Sequence, residues 1–370
     1  MVESRRVTGD RLAVDLFLLA GLGSDELRDA HGAALRSAVD YAIAAEDAGF
    51  DGVWLAEHHF LTYGACPSAI TLAAHVLGRT RRIMVGTAAA VLSARHPVAL
   101  AEETAMLAAV AGTRFALGVG RGGPWVDLEV FGTGLARYQD GFPESLDLLL
   151  RWLSGAETVG ADGDHHRFRP VRVVPRPVAR PPVWVAATSA ATATLAAERG
   201  LPVLLGMQAS PEEHRAILDA ARAAATPRAH ARPGDGPGPD AGPGRDAAPG
   251  AALGVPGPAV AHLAYVADTV AEARARITAT LPGRLARTAE YVRLDGSTGP
   301  GRDPHEYTQH LLDLHPVGDT ALCIERLRHS AKVTGASRLL LAVEAAGSRE
   351  DTLTCIHRLA TEVLPALRRG

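Results

Sequence analysis

Short apolar runs recur along the chain and alternate with longer stretches in which apolar positions return every three or four residues. Runs of four to eight residues bounded by Gly, Pro or polar residues read as buried strands, and the longer periodic stretches as helices packed by one face. This predicts strands over 12–19, 52–55, 83–90, 114–120, 183–187, 202–205, 260–267 and 337–343. Helices are predicted after them in turn, over 32–48, 67–78, 97–111, 138–153, 190–198, 211–225, 270–281 and 349–367, with one more, 320–333, before the last strand. Eight such repeats predict an α/β protein with a closed (β/α)8 TIM barrel, because closure leaves no strand edge exposed. The 370 residues are read as a single domain of that kind.

Two segments break the pattern. Residues 226–257 are dominated by Pro, Gly, Ala and Asp with almost no large apolar side chain, so they bury too little surface to offset their ordering entropy and are expected to be a disordered surface loop. Residues 282–316, after the seventh strand, are polar and long. A loop of that length in a compact domain is usually functional, and a lid is expected there.

Composition narrows the function classes. The net charge is −3 and basic residues are spread along the chain, so neither nucleic acid nor a membrane surface is an expected partner. Residues 12–19 have the look of a signal-peptide core behind Arg5 and Arg6, but Asp15 interrupts them, and they are read as the first strand. Cys66, Cys323 and Cys355 are far apart and form no CxxC pair, which argues against a disulfide framework and against a structural zinc site. A reducing cytoplasm is the expected compartment, and no metal is expected.

In a barrel the chemistry collects where strands end. Glu57-His58-His59-Phe60 directly follows the strand over 52–55. The adjacent histidines read as a general base with its neighbour or as ordinary polar loop residues; a metal pair is disfavoured, since neighbours on an extended chain point oppositely. Gly118-Val119-Gly120-Arg121-Gly122-Gly123 ends the fourth strand. Glycines let a backbone approach a ligand and a guanidinium suits a phosphate, although a tight turn with a solvated arginine has the same sequence. Thr188-Ser189-Ala190 ends the fifth strand at a helix start, which makes either an anion site or a plain N-cap. Arg121 and Thr188 leave neighbouring strands, and that convergence favours the phosphate. Ala88 and Ala89 would floor a planar ring or simply fill core.

Together these segments resemble the bacterial luciferase-like flavin-dependent monooxygenases, and among them the luciferase alpha subunit. The resemblance rests on Gly49-Phe50-Asp51-Gly52-Val53-Trp54-Leu55-Ala56-Glu57-His58-His59-Phe60, Gly86-Thr87-Ala88-Ala89, His96-Pro97-Val98, Arg114-Phe115 through Arg121-Gly122, and Val130-Phe131-Gly132-Thr133. It continues through Ser189-Ala190, Gly200-Leu201-Pro202, Pro316-Val317-Gly318 and Glu344-Ala345-Ala346-Gly347. It implies a flavin at the strand C-termini, its phosphate held by Arg121, Ser189 and Thr192 with Thr188 and Ala190 alongside. It further implies a non-prolyl cis peptide between Ala88 and Ala89 against the ring, and His58 as the catalytic histidine. Luciferase has a glutamate where this chain has Thr188 and a reactive cysteine where it has Gly120. These departures bear on light emission and leave oxygen activation untouched.

The activity so implied is oxygenation of a small organic substrate, in the manner of specialised metabolism. It would use O2 and reduced FMN (FMNH2) from a separate flavin reductase, by way of a flavin C4a peroxide, with His58 as general acid/base. Alternatives are an oxidoreductase of the same fold using cofactor F420, and a flavin-binding subunit without catalysis. A homodimer formed through 67–74 and 97–111 is expected, as the family pairs its barrels.

Overall fold

The computed structural model describes residues 11–21, 30–225, 256–297 and 302–369. All of the expected disordered loop except Pro256 and Gly257 lies outside the described residues. Eight strands form the barrel: β1 Ala13–Leu18, β2 Gly52–Leu55, β3 Met84–Thr87, β4 Phe115–Gly120, β5 Val183–Ala187, β6 Val203–Leu205, β7 Ala259–Leu263 and β8 Arg338–Ala342. Each pairs in parallel with the next, and β8 pairs with β1, so the sheet closes on itself. The predicted (β/α)8 architecture is therefore present.

The helices lie outside: α1 Ala30–Ala48, α2 Ala69–Arg79, α3 Pro97–Ala111, α4 Phe142–Trp152, α5 Ala190–Ala197, α6 Pro211–Ala224, α7 Val270–Ala286, α8 Pro304–Leu314, α9 Thr320–Thr334 and α10 Arg349–Arg358. Most start on a side-chain cap of the kind that satisfies orphan N–H groups. Ser210 with Glu213, Thr269 with Glu272 and Ser348 with Asp351 each form a reciprocal capping box. The main core lies between strands and helices, where Val14, Val53, Val85, Leu117, Val185 and Leu339 meet the helices' apolar faces. A second layer fills the barrel interior around Trp54 and Trp184, whose rings meet edge to face with centroids 5.6 Å apart. Gly86 is required beside them, since a Cβ there would stand 2.4 Å from the Trp54 ring.

Four expectations need correction. The strand read over 83–90 stops at Thr87 and resumes as Ala90–Val91, which pairs with the end of β4. The helix read over 138–153 is two, Gly134–Gln139 and α4. Gly141 joins them where a Cβ would come within 2.9 Å of the Arg137 carbonyl. An antiparallel hairpin of Thr158–Asp162 and Arg167–Arg172 was not foreseen, because its residues are mostly exposed and include Pro170, leaving no apolar run to read. The region 282–316 is not one irregular loop either: α7 runs on through Pro282 to Ala286, and α8 packs back against it. Leu281, Pro282 and Leu285 are buried there, so packing outweighs the local cost of a proline inside a helix. No helix among the described residues is long and apolar enough to cross a membrane.

Candidate active site

Glu57 organises the end of β2. Its carboxylate accepts the Ala69 N–H at 3.0 Å and the Val91 N–H at 2.9 Å, tying the start of α2 to the segment after β3. His59 adds a third contact, Nε2 lying 3.4 Å from Glu57 Oε1. Burial alone would push the Glu57 pKa up; the bonds from His59 and from the Val91 N–H outweigh it and hold the carboxyl below its ordinary value.

With His59 turned toward Glu57 and the Phe131 ring, 5.0 Å away, His58 is left facing a cavity of about 390 Å³. That is the opposite-facing pattern expected of neighbours on extended backbone. The His58 ring meets Tyr63 edge to face at 5.3 Å, and its Nδ1 is shut off from solvent with no hydrogen-bond partner among the described residues. Gly64 makes room for it, since a Cβ there would sit 2.7 Å from that nitrogen. Burial, and after it the neighbouring His59, push the His58 pKa down to about 4. The resting side chain is therefore a neutral imidazole at neutral pH, a proton acceptor before it is a donor.

One wall of this cavity consists of small residues: Ala88, Ala89, Gly120 and Ala186. The Ala88–Ala89 peptide is cis. A Cβ added at Gly120 would come 3.3 Å from Ala89 Cβ and 3.5 Å from Ala186 Cβ, so the glycine keeps a flat face open. Tyr291 and Tyr307 from the 282–316 region also line this cavity, and both line a second cavity of about 650 Å³. There Tyr291 packs on Trp125 with centroids 4.3 Å apart, and Arg293 lies 4.9 Å above the Trp125 ring. The segment expected to be a lid thus borders both spaces.

The expected phosphate residues lie apart from this wall. Val119 of β4 pairs with Val185 of β5, so Arg121 and Thr188 leave adjoining strand ends. Ser189 caps α5, its hydroxyl accepting the Thr192 N–H at 3.4 Å, while Thr188 and Ser189 are exposed and Ala190 and Thr192 half-buried. Arg121 turns away from them: it donates to the carbonyls of Tyr138 at 3.3 Å and Gln139 at 3.1 Å and stands 5.3 Å over the Phe142 ring. His58, Ala88 and Ala89 share one cavity; Arg121, Thr188, Ser189, Ala190 and Thr192 do not line it.

Sequence reasoning left Glu344 without a role. At the end of β8 it is buried and accepts the Leu19 N–H at 2.5 Å and the Gly21 N–H at 3.1 Å, while Arg284 of α7 donates to its main-chain carbonyl. Burial raises its pKa, against the pull of Arg284. The available signal was a carboxylate at the end of an apolar strand; Arg284 was hidden because the helix carrying it was expected to stop at 281.

Comparisons with known proteins agree with this geometry. The alkanal monooxygenase alpha chain of a Kryptophanaron alfredi symbiont is 28% identical over 338 residues, 90% of this chain and 93% of that one. A Streptomyces bottropensis monooxygenase structure superposes with a TM-score of 0.75 at 23% identity, over 96% of this chain and 99% of that one. The oxygenating constituent of the Pseudomonas putida 3,6-diketocamphane monooxygenase, solved with FMN, gives 0.69 at 18% over 96% and 98%. An F420-dependent secondary alcohol dehydrogenase gives 0.69 at 16% over 97% and 99%, so the fold is shared by proteins using either cofactor. The family model described as luciferase-like monooxygenase matches residues 13–361, and with nearly the whole chain so covered, the protein belongs to that family.

Proposed function

We propose that this chain is an FMN-dependent monooxygenase that uses reduced FMN and O2 to oxygenate a small organic substrate. The observation that carries the reading is His58: an imidazole with its pKa held near 4 that lines a cavity one wall of which is flat and built of Ala89, Gly120 and Ala186. A planar ring fits such a wall of small side chains. FMN in the diketocamphane enzyme supports the choice of cofactor.

Reduced flavin supplies the two electrons for O2 activation, one oxygen atom entering the substrate and the other leaving as water. The chain does the rest. Ser189 and the N–H groups opening α5 would hold the phosphate, with Arg121 reaching it by releasing the carbonyls it now binds. Ala89, Gly120 and Ala186 would seat the ring. His58 would take a proton on its ring and return it later. Tyr291 and Tyr307 close the outer side against water.

Anaerobic titration of the purified chain with reduced FMN and with reduced F420 tests the assignment. Saturable binding of FMN, followed by O2-dependent conversion of a substrate, is expected. Preferential binding of F420, with substrate turnover that needs no O2, overturns it.

A further inference from the structure

A separate cavity lies outside the barrel, between the start of α3, α4 and the 158–172 hairpin. It is a cavity of about 440 Å³ that shares no lining residue with the one holding His58. His96, Arg137, His165, His166 and Arg167 line one part of it, and Val98, Trp152, Phe168 and Val171 the other. Among the described residues no carboxylate lines it.

Two of its groups are unsatisfied. The Trp152 indole N–H is buried without a hydrogen-bond partner among the described residues. Such a group costs about 1–3 kcal/mol unless something fills it. Arg137 donates to Ser145 Oγ at 3.2 Å and to the Arg95 carbonyl at 2.8 Å but has no carboxylate within ion-pair distance among the described residues. The nearest acid, Glu144, is already engaged by the N–H groups of Asp164, His165 and His166 at 2.8–3.1 Å, and Arg167 is paired with Asp162 at 2.9 Å. His166 bonds Ser145 at 3.0 Å and packs on the His96 ring at 5.1 Å. Burial, then Arg137 and His96, push its pKa down to about 4, against the pull of Glu144. The space also opens at the first turn of α3, where His96 is the N-cap and the helix dipole favours negative charge.

We propose that this cavity binds a small organic carboxylate. Arg137 takes its oxygens, and Val98, Phe168 and Val171 cover its apolar body. Arg137, a guanidinium without a carboxylate partner among the described residues, matches a negative charge, and the apolar lining favours a body larger than inorganic phosphate. The volume lies in the range of small-molecule sites. The inference does not depend on the reaction proposed for the barrel.

Benzoate titrated into the full chain is the test, read by calorimetry and by the indole N–H resonance of Trp152, assigned from Trp152→Phe. Saturable binding that shifts this resonance is expected, with benzyl alcohol and inorganic phosphate at least about tenfold weaker. Arg137→Gln should weaken benzoate by about tenfold or more, as loss of a charge-assisted pair does. Val171→Asp, at a position 40% exposed and so compatible with folding, should abolish binding by placing a carboxylate at the mouth. An unmoved Trp152 resonance at benzoate saturation overturns the proposal. So does unchanged affinity in Val171→Asp, or phosphate or benzyl alcohol binding as tightly as benzoate.

Discussion

Arg338 and Asp15 join the last barrel strand to the first, the guanidinium placing Nε 2.6 Å and Nη2 3.0 Å from the carboxylate. Asp15 is fully buried and also accepts the Trp54 indole N–H at 2.8 Å. Removing one member of a buried pair strands the other charge, at about 3–5 kcal/mol. Asp15→Ala should lower the urea midpoint accordingly. Asp15→Leu combined with Arg338→Met should recover much of the loss, and denaturation curves showing equal loss in both variants would contradict this account.

Glu57→Gln should weaken the junction of β2 with the segments beginning at Ala69 and Val91, and the effect should depend on pH. The native Glu57 pKa lies below its ordinary 4.5, so its contribution is fully present above that value and is lost as pH falls through the native one. The variant should be less stable at pH 7 and should show a shallower acid limb in a plot of stability against pH.

His58→Ala should lower turnover by about 10²–10⁴, the range of general acid/base groups, while flavin affinity changes little. With the native pKa near 4 instead of 6.5, the free imidazole remains an acceptor through mildly acidic pH. In kcat/KM the limb belonging to His58 should therefore lie near pH 4, and a limb near 6.5 that disappears in the variant would refute this.

Arg121→Gln should cost FMN affinity, by about tenfold for one charge-assisted phosphate contact, and leave riboflavin affinity unchanged, since riboflavin lacks the phosphate. Gly120→Leu should instead weaken both, because its side chain would fill the space in front of Ala89 and Ala186. Fluorescence titration of the two ligands against the two variants separates phosphate contact from ring contact.

The barrel was legible because β2 and β5 are uninterrupted apolar runs, and both were placed to the residue. His58 was legible as a polar residue directly beyond one of them. The hairpin was not, since Thr158–Asp162 and Arg167–Arg172 are stabilised by backbone pairing with little apolar burial. Nor was the continuation of α7 through Pro282, where burial of Leu281 and Leu285 prevails over the local signal. Glu57 exceeded its reading: its bonds to Ala69 and Val91 join residues 12 and 34 positions away, a distance no local pattern encodes.

The three cysteines are free and buried, with burial pushing each thiol pKa up to about 12. Oxidants attack the thiolate form, which these sites suppress. Under the oxygen chemistry proposed for the barrel, this protects the thiols and shifts the burden to thioethers. Met207, in the wall of the His58 cavity, and exposed Met106 become the sites at which oxidative wear would first register.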